Sequence, residues 1–365
     1  MNKKKINIGI LFGGKSAEHE VSLQSAKNIF EEIDREKYNP IPIGIDKSGK
    51  WLLYNNENFL INPDDPKRIK LSKSNNIVTI YPECNGNIIG ISNRIRDKRI
   101  DVIFPVLHGP FGEDGTVQGL FKLANVPFVG ASILGSAVGM DKDVMKRLLH
   151  NANIPIGKFL TIHSQDKVPT FKNIEKEIGI PCFIKPANMG SSIGVNKVKN
   201  ENEYINAIKE SFLYDTKILI EEYIKGREIE CAVLGNENPK ASTVGEIIPQ
   251  DEFYSYNAKY IDEKGAILKI PIKLPEDNIH RIQKIAIETF KALSCEGLGR
   301  IDMFIKDNGE VIVNEINTMP GFTKISMYPK LWEASGIKYS ELIDQLIQLG
   351  IERFIKEKKL KTRYF

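Results

Sequence analysis

Apolar and polar positions change period along this chain, and the changes mark its elements. "INIGILF" (6–12) is an Ile-rich run of strand length. "VSLQSAKNIFEEI" (21–33) puts Leu23, Ala26, Phe30 and Ile33 at helical spacing, with Ser22 as a helix cap. "NPIPIGI" (39–45) and "DVIFPVL" (101–107) return to strand length. A polar turn, "HGPFGEDG" (108–115), precedes a helix capped by Thr116, with Val117, Leu120, Phe121 and Ala124 facing inward; "VPFVG" (126–130) closes the unit. Strands alternating with helices predict a parallel sheet covered on both faces. Such sheets bind ligands at the carboxyl ends of their strands, where loops 13–20 and 108–115 lie.

Beyond residue 135 the pattern becomes α+β. A helix capped by Asp141 leads to strand "FLTIH" (159–163), a helix at 171–178 and strand "PCFIKP". A helix at 201–212 precedes "KILIEEYI" (217–224) and "REIECAVLG" (227–235). Region 242–275 mixes strands with the polar stretch "PQDEFYSYNAKYIDEKG", and helices at 277–293 and about 338–358 follow. Three units are expected: 1–135, 136–215 and 216–365.

"GRIDMFIKDNGEVIVNEINTMPG" (299–321) carries the strongest chemical signal. Asn308-Gly309 reads as a two-residue hairpin turn. Pairing Asp307 with Glu310 then sets Asp302 opposite Glu315 and Arg300 opposite Asn317. Side chains alternate, so these four share one face, while Ile301, Met303, Ile312 and Ile316 take the other. Opposed carboxylates repel each other. Arg300 alone could neutralise them in a structural ion-pair face. The added oxygen of Asn317 favours magnesium, completed by substrate phosphates. A one-residue change in loop length would spoil the register.

Composition narrows the classes. The net charge of +4 arises from 51 basic and 47 acidic residues, a mixed surface and no nucleic-acid footprint. The basic run "KEKKLKTR" (356–363) reads as a solvated helix end. Cys84, Cys182, Cys231 and Cys295 are scattered without a C-x-x-C pair, which argues against a zinc site or a disulfide framework. No apolar run of ~18 residues is present, and the start lacks a small-residue cleavage site. A cytoplasmic protein is expected.

Two stretches suggest phosphate. "GILFGGKS" satisfies G-x-x-x-x-G-K-[ST] through Gly9, Gly14, Lys15 and Ser16. Residues 10 to 12 continue an apolar strand, however, so Gly9 lies inside a strand and the match is accidental. In "FIKPANMGSSIGVNKV" (183–198), Gly190, Ser191, Ser192 and Gly194 form a loop whose N–H groups could wrap a phosphate, with Lys185 as a point charge before it.

Taken in order, "GGKSAEHEVSLQSA", "HGPFGEDGTVQG", "MDKD", "IKPANMGSSIGV", "EEYIKGREIECAVLG", "AKY", "GRIDMF" and "NEINTMPGFTKISMYP" resemble the ATP-grasp superfamily and, within it, the D-alanine–D-alanine ligase family. The resemblance covers nearly the whole chain. It implies an N-terminal Rossmann-like parallel domain followed by a two-lobed ATP-grasp domain. Lys142 and Lys185 would contact ATP phosphates under the loop of Gly190, Ser191 and Ser192. Glu221 and Ile224 would lie at the adenine and Glu228 on the ribose. Asp302, Glu315 and Asn317 would hold two magnesium ions, with manganese as a substitute.

The resemblance further implies that ATP phosphorylates one D-alanine and that the amine of a second attacks the acyl phosphate. Glu18 would hold the first ammonium and form a network with Ser191 and Tyr260. Arg300 and the Gly321 N–H would face the oxyanion. Ser326 and Met327 would contact the second D-alanine, with His108 near the reacting centre. The pair Lys259-Tyr260 favours D-alanine over D-lactate as second substrate, and D-serine is the nearer alternative. Another ATP-grasp carboxylate–amine ligase would lack "GGKSAEHEVS" and "NAKY". The family resemblance also implies a homodimer, a role in peptidoglycan precursor synthesis, and no nucleic-acid or membrane partner.

Overall fold

A computed structural model describes residues 4–55, 58–91, 98–249 and 266–364. Its first sheet contains β1 (Ile6–Gly13), β2 (Tyr38–Ile45), β3 (Trp51–Leu53), β6 (Ile77–Thr79), β7 (Asn87–Gly90), β8 (Lys98–Arg99) and β9 (Val102–Val106), in the order β8-β7-β6-β3-β2-β1-β9. β4 (Leu60–Ile61) and β5 (Lys70–Leu71) pair separately. Only β2, β1 and β9 run parallel; β3, β6, β7 and β8 add an antiparallel wing. Those wing strands are two to four residues long, too short for a periodic signal. "VPFVG" adds a single parallel bridge, Phe128 to Ile103, instead of a strand.

β1 stops at Gly13, whose φ of +92° suits glycine and where an added Cβ would lie 2.2 Å from the Ile45 carbonyl oxygen. Gly9 is inside β1, as the accidental P-loop reading requires. Helix α1 (His19–Glu32) begins earlier than expected, and Ser22 is not its cap. The Ser22 hydroxyl accepts from the Gly13 N–H at 2.7 Å and donates to the Val106 carbonyl, tying β1 to β9. The predicted inward face of α1 is buried throughout. Thr116 likewise opens α2 (Thr116–Leu123) as its first residue; Gly115 caps it, and Asp114 Oδ1 accepts the Thr116 N–H at 2.9 Å. Asp141 does cap, between α3 (Ile133–Met140) and α4 (Lys142–Asn151), accepting from the N–H groups of Asp143 and Val144.

A four-stranded antiparallel sheet follows, in the order β10-β13-β11-β12, with β10 (Phe159–His163), β11 (Cys182–Pro186), β12 (Asn196–Val198) and β13 (Lys217–Glu222). Helices α5 (Phe171–Glu177) and α6 (Glu201–Ser211) accompany it. β13 belongs to this sheet, so the changeover to the next falls between Glu222 and Arg227, later than residue 216.

The five-stranded sheet, β16-β15-β14-β17-β18, comprises β14 (Arg227–Gly235), β15 (Lys240–Pro249), β16 (Ala266–Lys269), β17 (Gly297–Ile305) and β18 (Val311–Asn317), with helix α7 (Glu276–Ala292). Helices α8 (Met327–Ala334) and α9 (Tyr339–Lys358) end the chain. Leu342, Ile343, Leu346 and Ile347 of α9 share one core with Ile8, Ile10 and Phe12 of β1 and with Ala232 and Leu234 of β14. At ~1.5–3 kcal/mol per buried aliphatic side chain, this contact docks the first sheet onto the third.

The hairpin reaches the predicted register by another route. Its loop has three residues, not two: the Lys306 N–H donates to Glu310 O at 2.9 Å and the Gly309 N–H to Lys306 O at 2.8 Å. That shift pairs Ile305 with Val311, Phe304 with Ile312 and Met303 with Val313. A β-bulge then leaves Asn314 unpaired and restores Asp302 opposite Glu315 and Arg300 opposite Asn317. Between loop and bulge the faces are exchanged. Val311 and Val313 join the core cluster of Ile301, Met303 and Ile316, whereas Ile312 is buried outside that cluster.

Candidate active site

Three carboxylates line up across the third sheet. β14 pairs Glu230 with Asp302, and β18 pairs Asp302 with Glu315. Arg300 lies over the first two. Its Nε is 2.9 Å from Glu230 Oε2 and donates to Asp302 Oδ1 at 2.7 Å, while Nη2 donates to Asp302 Oδ2 at 2.7 Å. Lys142, at the start of α4, reaches Glu315 Oε2 at 3.4 Å and donates to the Met189 carbonyl at 2.7 Å. Asn317 Oδ1 accepts the Met319 N–H at 3.0 Å. The ion-pair reading of the opposed carboxylates is the one visible here: Arg300 neutralises Asp302, and Lys142 faces Glu315. Glu230 was missed. Its signal is the alternation with Glu228 in "REIEC", but nothing local says that β14 lies beside β17.

The donor set fits magnesium chemically. Asp302, Glu315 and Asn317 offer hard oxygens from adjacent strands, and each Asp302 oxygen keeps a lone pair beside its bond to Arg300. Among the described residues no cluster of three or more His, Cys, Asp or Glu makes a metal cage by itself. A cation here would need oxygens from a ligand as well.

Glu315 and Asp302 border a cavity of about 430 Å³ lined by the second and third sheets. Lys142, Lys185, Gly190, Ser191, Ser192, Glu221, Ile224 and Glu228 line it together. Ser191 and Ser192 hold φ of +53° and +61°, a left-handed backbone that non-glycine residues adopt at a cost and that concentrates at ligand-binding loops. Lys185 Nζ lies 2.6 Å from Glu221 Oε2, and Lys146 Nζ lies 3.4 Å from Glu221 Oε1. Burial opposes ionisation of all three groups. The two lysines outweigh it and hold Glu221 below the usual carboxylate range. Glu221 and Glu315 likewise hold Lys185 above the usual lysine range. Lys146, with the longer contact and Lys185 beside it, is pushed down by burial. Lys146 was also missed, although its i+4 spacing from Lys142 puts both on one helix face.

A smaller cavity of about 100 Å³ adjoins the first and shares Lys142, Gly190, Ser191 and Glu315 with it. Glu18, Glu113, Glu230, Arg300, Asn317, Gly321, Ser326 and Met327 are among its other lining residues. Glu18 stands at the start of α1, beyond the carboxyl end of β1. A Cβ built on Gly190 would lie 3.6 Å from Glu18 Oε2 and 3.8 Å from Glu113 Oε1, so both carboxylates reach the serine–glycine loop. Glu113 was not anticipated. Burial, with Glu18 beside it, pushes its carboxyl well above the usual range. Gly321 leaves room for Ser326, whose Oγ accepts the Thr323 N–H at 3.0 Å; a Cβ at 321 would lie 2.8 Å from that oxygen.

His108 is buried behind this cavity, and its Nδ1 bonds the Met319 carbonyl at 2.9 Å. A carbonyl only accepts, so Nδ1 carries the proton and Nε2 keeps a lone pair. Burial pushes its pKa down. His108 lines the neighbouring apolar cavity with Gly13 and Trp51. Lys259 and Tyr260 lie outside the described residues.

Residues 7–131 match the family described as the D-ala D-ala ligase N-terminus, and residues 148–348 match its C-terminus. The chain belongs to the D-alanine–D-alanine ligase family. A relative in this family, the D-alanine–D-alanine ligase of Shouchella clausii strain KSM-K16, is 57% identical over 100% of this chain and 99% of its own length. The solved structure of the D-alanine-D-alanine ligase from Coxiella burnetii superposes with a TM-score of 0.86 at 39% identity, covering 98% of this chain and 97% of that one. The VanG D-Ala:D-Ser ligase from Enterococcus faecalis superposes at 0.83 and 38% identity, covering 95% and 100%. This ligase fold is thus similar to members named for different second amino acids. All four cysteines are free and buried, and among the described residues no helix is long and apolar enough to cross a membrane.

Proposed function

We propose that this ligase joins two D-alanine molecules at the expense of ATP, yielding D-alanyl-D-alanine, ADP and phosphate for peptidoglycan precursor synthesis. The wall shared by the two cavities carries the reading. A phosphoryl group at the end of the larger cavity would meet a carboxylate held in the smaller one at Lys142, Gly190, Ser191 and Glu315.

In this scheme Lys142 and Lys185 hold the ATP phosphates, Glu221 and Ile224 adjoin the adenine, and Glu228 takes the ribose. Asp302, Glu315 and Asn317 would hold two magnesium ions, or manganese, which would supply positive charge to neutralise the transferring phosphoryl group. A carboxylate oxygen of the first D-alanine attacks the γ-phosphorus, and ADP departs. Glu18 holds that substrate's ammonium, within a network that includes Ser191 and Tyr260. The amine of the second D-alanine, set by Ser326, Met327 and Lys259, attacks the acyl carbon. Arg300 and the Gly321 N–H donate to the oxyanion, after which phosphate leaves. His108, its Nδ1–H held by the Met319 carbonyl, stands near the reacting centre behind the smaller cavity, and the proton lost by the amine leaves with the phosphate.

The three units divide near residue 135 and between 222 and 227. A homodimer in the cytoplasm is the expected state. The likeness to VanG keeps D-serine as a second reading for the incoming amino acid. Phosphate release from ATP, measured with D-alanine, L-alanine, D-serine or D-lactate in turn, tests the activity and the choice of second substrate. D-alanine alone should suffice for release and for dipeptide formation; absence of D-alanine-dependent release would sink the proposal.

A further inference from the structure

Lys146 has no role in the scheme above, yet it is among the least accessible charges of the larger cavity. Its side chain is 3% exposed, against 10% for Lys142 and 13% for Lys185. It points from α4 at Glu221 Oε1, 3.4 Å away, with the Phe159 ring 5.8 Å from its ammonium. Glu221 is buried too, and its other oxygen holds Lys185 at 2.6 Å. One buried carboxylate therefore stands between two buried ammonium groups.

The two lysines on Glu221 differ in what they can do when a polyanion arrives. Lys185 lies on β11 beside the serine–glycine loop and can turn from Glu221 toward phosphate oxygens. Each has an aromatic ring about 6 Å from its ammonium, Phe159 for Lys146 and Phe183 for Lys185, but Lys146 sits deeper. Once Lys185 is shared with phosphates, Glu221 must keep another cation or become an unpaired buried charge, which is strongly unfavourable. Resting on the reading of this cavity as the nucleotide site, we propose that Lys146 is a positioning residue: the standing counter-ion of Glu221 that lets Lys185 engage the phosphates. The dependence is mutual, since burial disfavours the Lys146 cation and Glu221 sustains it.

The test compares Lys146→Met in the wild-type and Glu221→Gln backgrounds, with Lys146→Arg as a charge-retaining control, by steady-state kinetics. In the wild-type background Lys146→Met should raise KM for ATP roughly ten- to a hundredfold, with KM for D-alanine changed less than about twofold. Lys146→Arg should recover most of that loss. In the Glu221→Gln background, where no charge is stranded, Lys146→Met should cost less than about threefold. Equal costs in the two backgrounds, or parallel rises in both KM values, would overturn the inference. Should Lys146→Met fail to fold alone, as read by thermal melting, the comparison of Glu221→Gln with the double variant still decides: a cost above about threefold refutes it. A wild-type enzyme that releases no ADP with D-alanine would instead refute the nucleotide reading itself.

Discussion

The larger cavity buries two lysines against one glutamate, with strands of two sheets as its walls. The smaller cavity collects Glu18 and Glu113 from loops beyond β1 and β9, and meets the turn after β18. In the first, the two lysines hold Glu221 ionised and Glu221 in turn holds Lys185 so, while burial pushes Lys146 the other way. In the second, burial, with Glu18 beside it, pushes Glu113 toward its neutral form. The difference follows from the guests proposed for them. A polyanion site must keep cations buried but available, so it needs a carboxylate to hold them meanwhile. A site for an ammonium group is short of positive charge until its substrate arrives.

Glu315 borders both cavities, so Glu315→Gln should give the largest effect: a fall in kcat of roughly 10²–10³-fold or more, read by ADP release, with little change in the melting midpoint. Retention of a tenth of the turnover would mean that phosphoryl transfer does not occur at the shared wall. A crossed pair comes next. Lys185→Met should raise KM for ATP by about a hundredfold and barely move KM for D-alanine, whereas Glu18→Gln should do the reverse, about ten- to a hundredfold. If either variant disturbs both constants equally, the two cavities are not separate sites. Gly321→Ala, which sets a methyl against the Ser326 hydroxyl, should lower kcat/KM for D-alanine by roughly tenfold and spare ATP.

The smallest effect is on stability and has opposite signs in the two cavities. Glu221 titrates below its unfolded value near 4.5, so its contribution is present above that pH and is lost as pH falls through the folded value. Glu113 titrates above the same reference, so the protein is penalised as pH rises from about 4.5 toward the folded value. Denaturant unfolding from well below pH 4.5 up to pH 8 should therefore show Glu221→Gln losing stability relative to wild type as pH rises toward 4.5 and Glu113→Gln gaining it as pH rises above 4.5. Matching slopes would contradict the contrast.

Much of this was legible locally. Strand β1, the inward face of α1, the Asp141 cap and the end helix follow from period and capping chemistry. Ser22 and Thr116 were misread because a hydroxyl before an apolar run signals a cap equally well when it lies one turn inside the helix, or at its first residue. The hairpin is more instructive. A two-residue loop was wrong by one residue, and the Asn314 bulge removed the error before Asp302. The chemistry survived while the face of Ile312 did not.

By itself the sequence determined which residues share a face over short spans, because side-chain direction repeats every two or 3.6 residues along a known element. It thereby set Asp302, Glu315, Arg300 and Asn317 together and put Glu18 beyond a strand end. Tertiary structure alone decided which faces meet. Glu230 joins the carboxylate row because β14 pairs with β17, Lys146 finds Glu221 because α4, anchored by Met145 and Leu149 in the core of the third sheet, also borders the second, and Glu113 meets Gly190 across units remote in sequence. Periodicity states which way a side chain points. Only the packed chain states what it points at, and burial there sets the charge it carries.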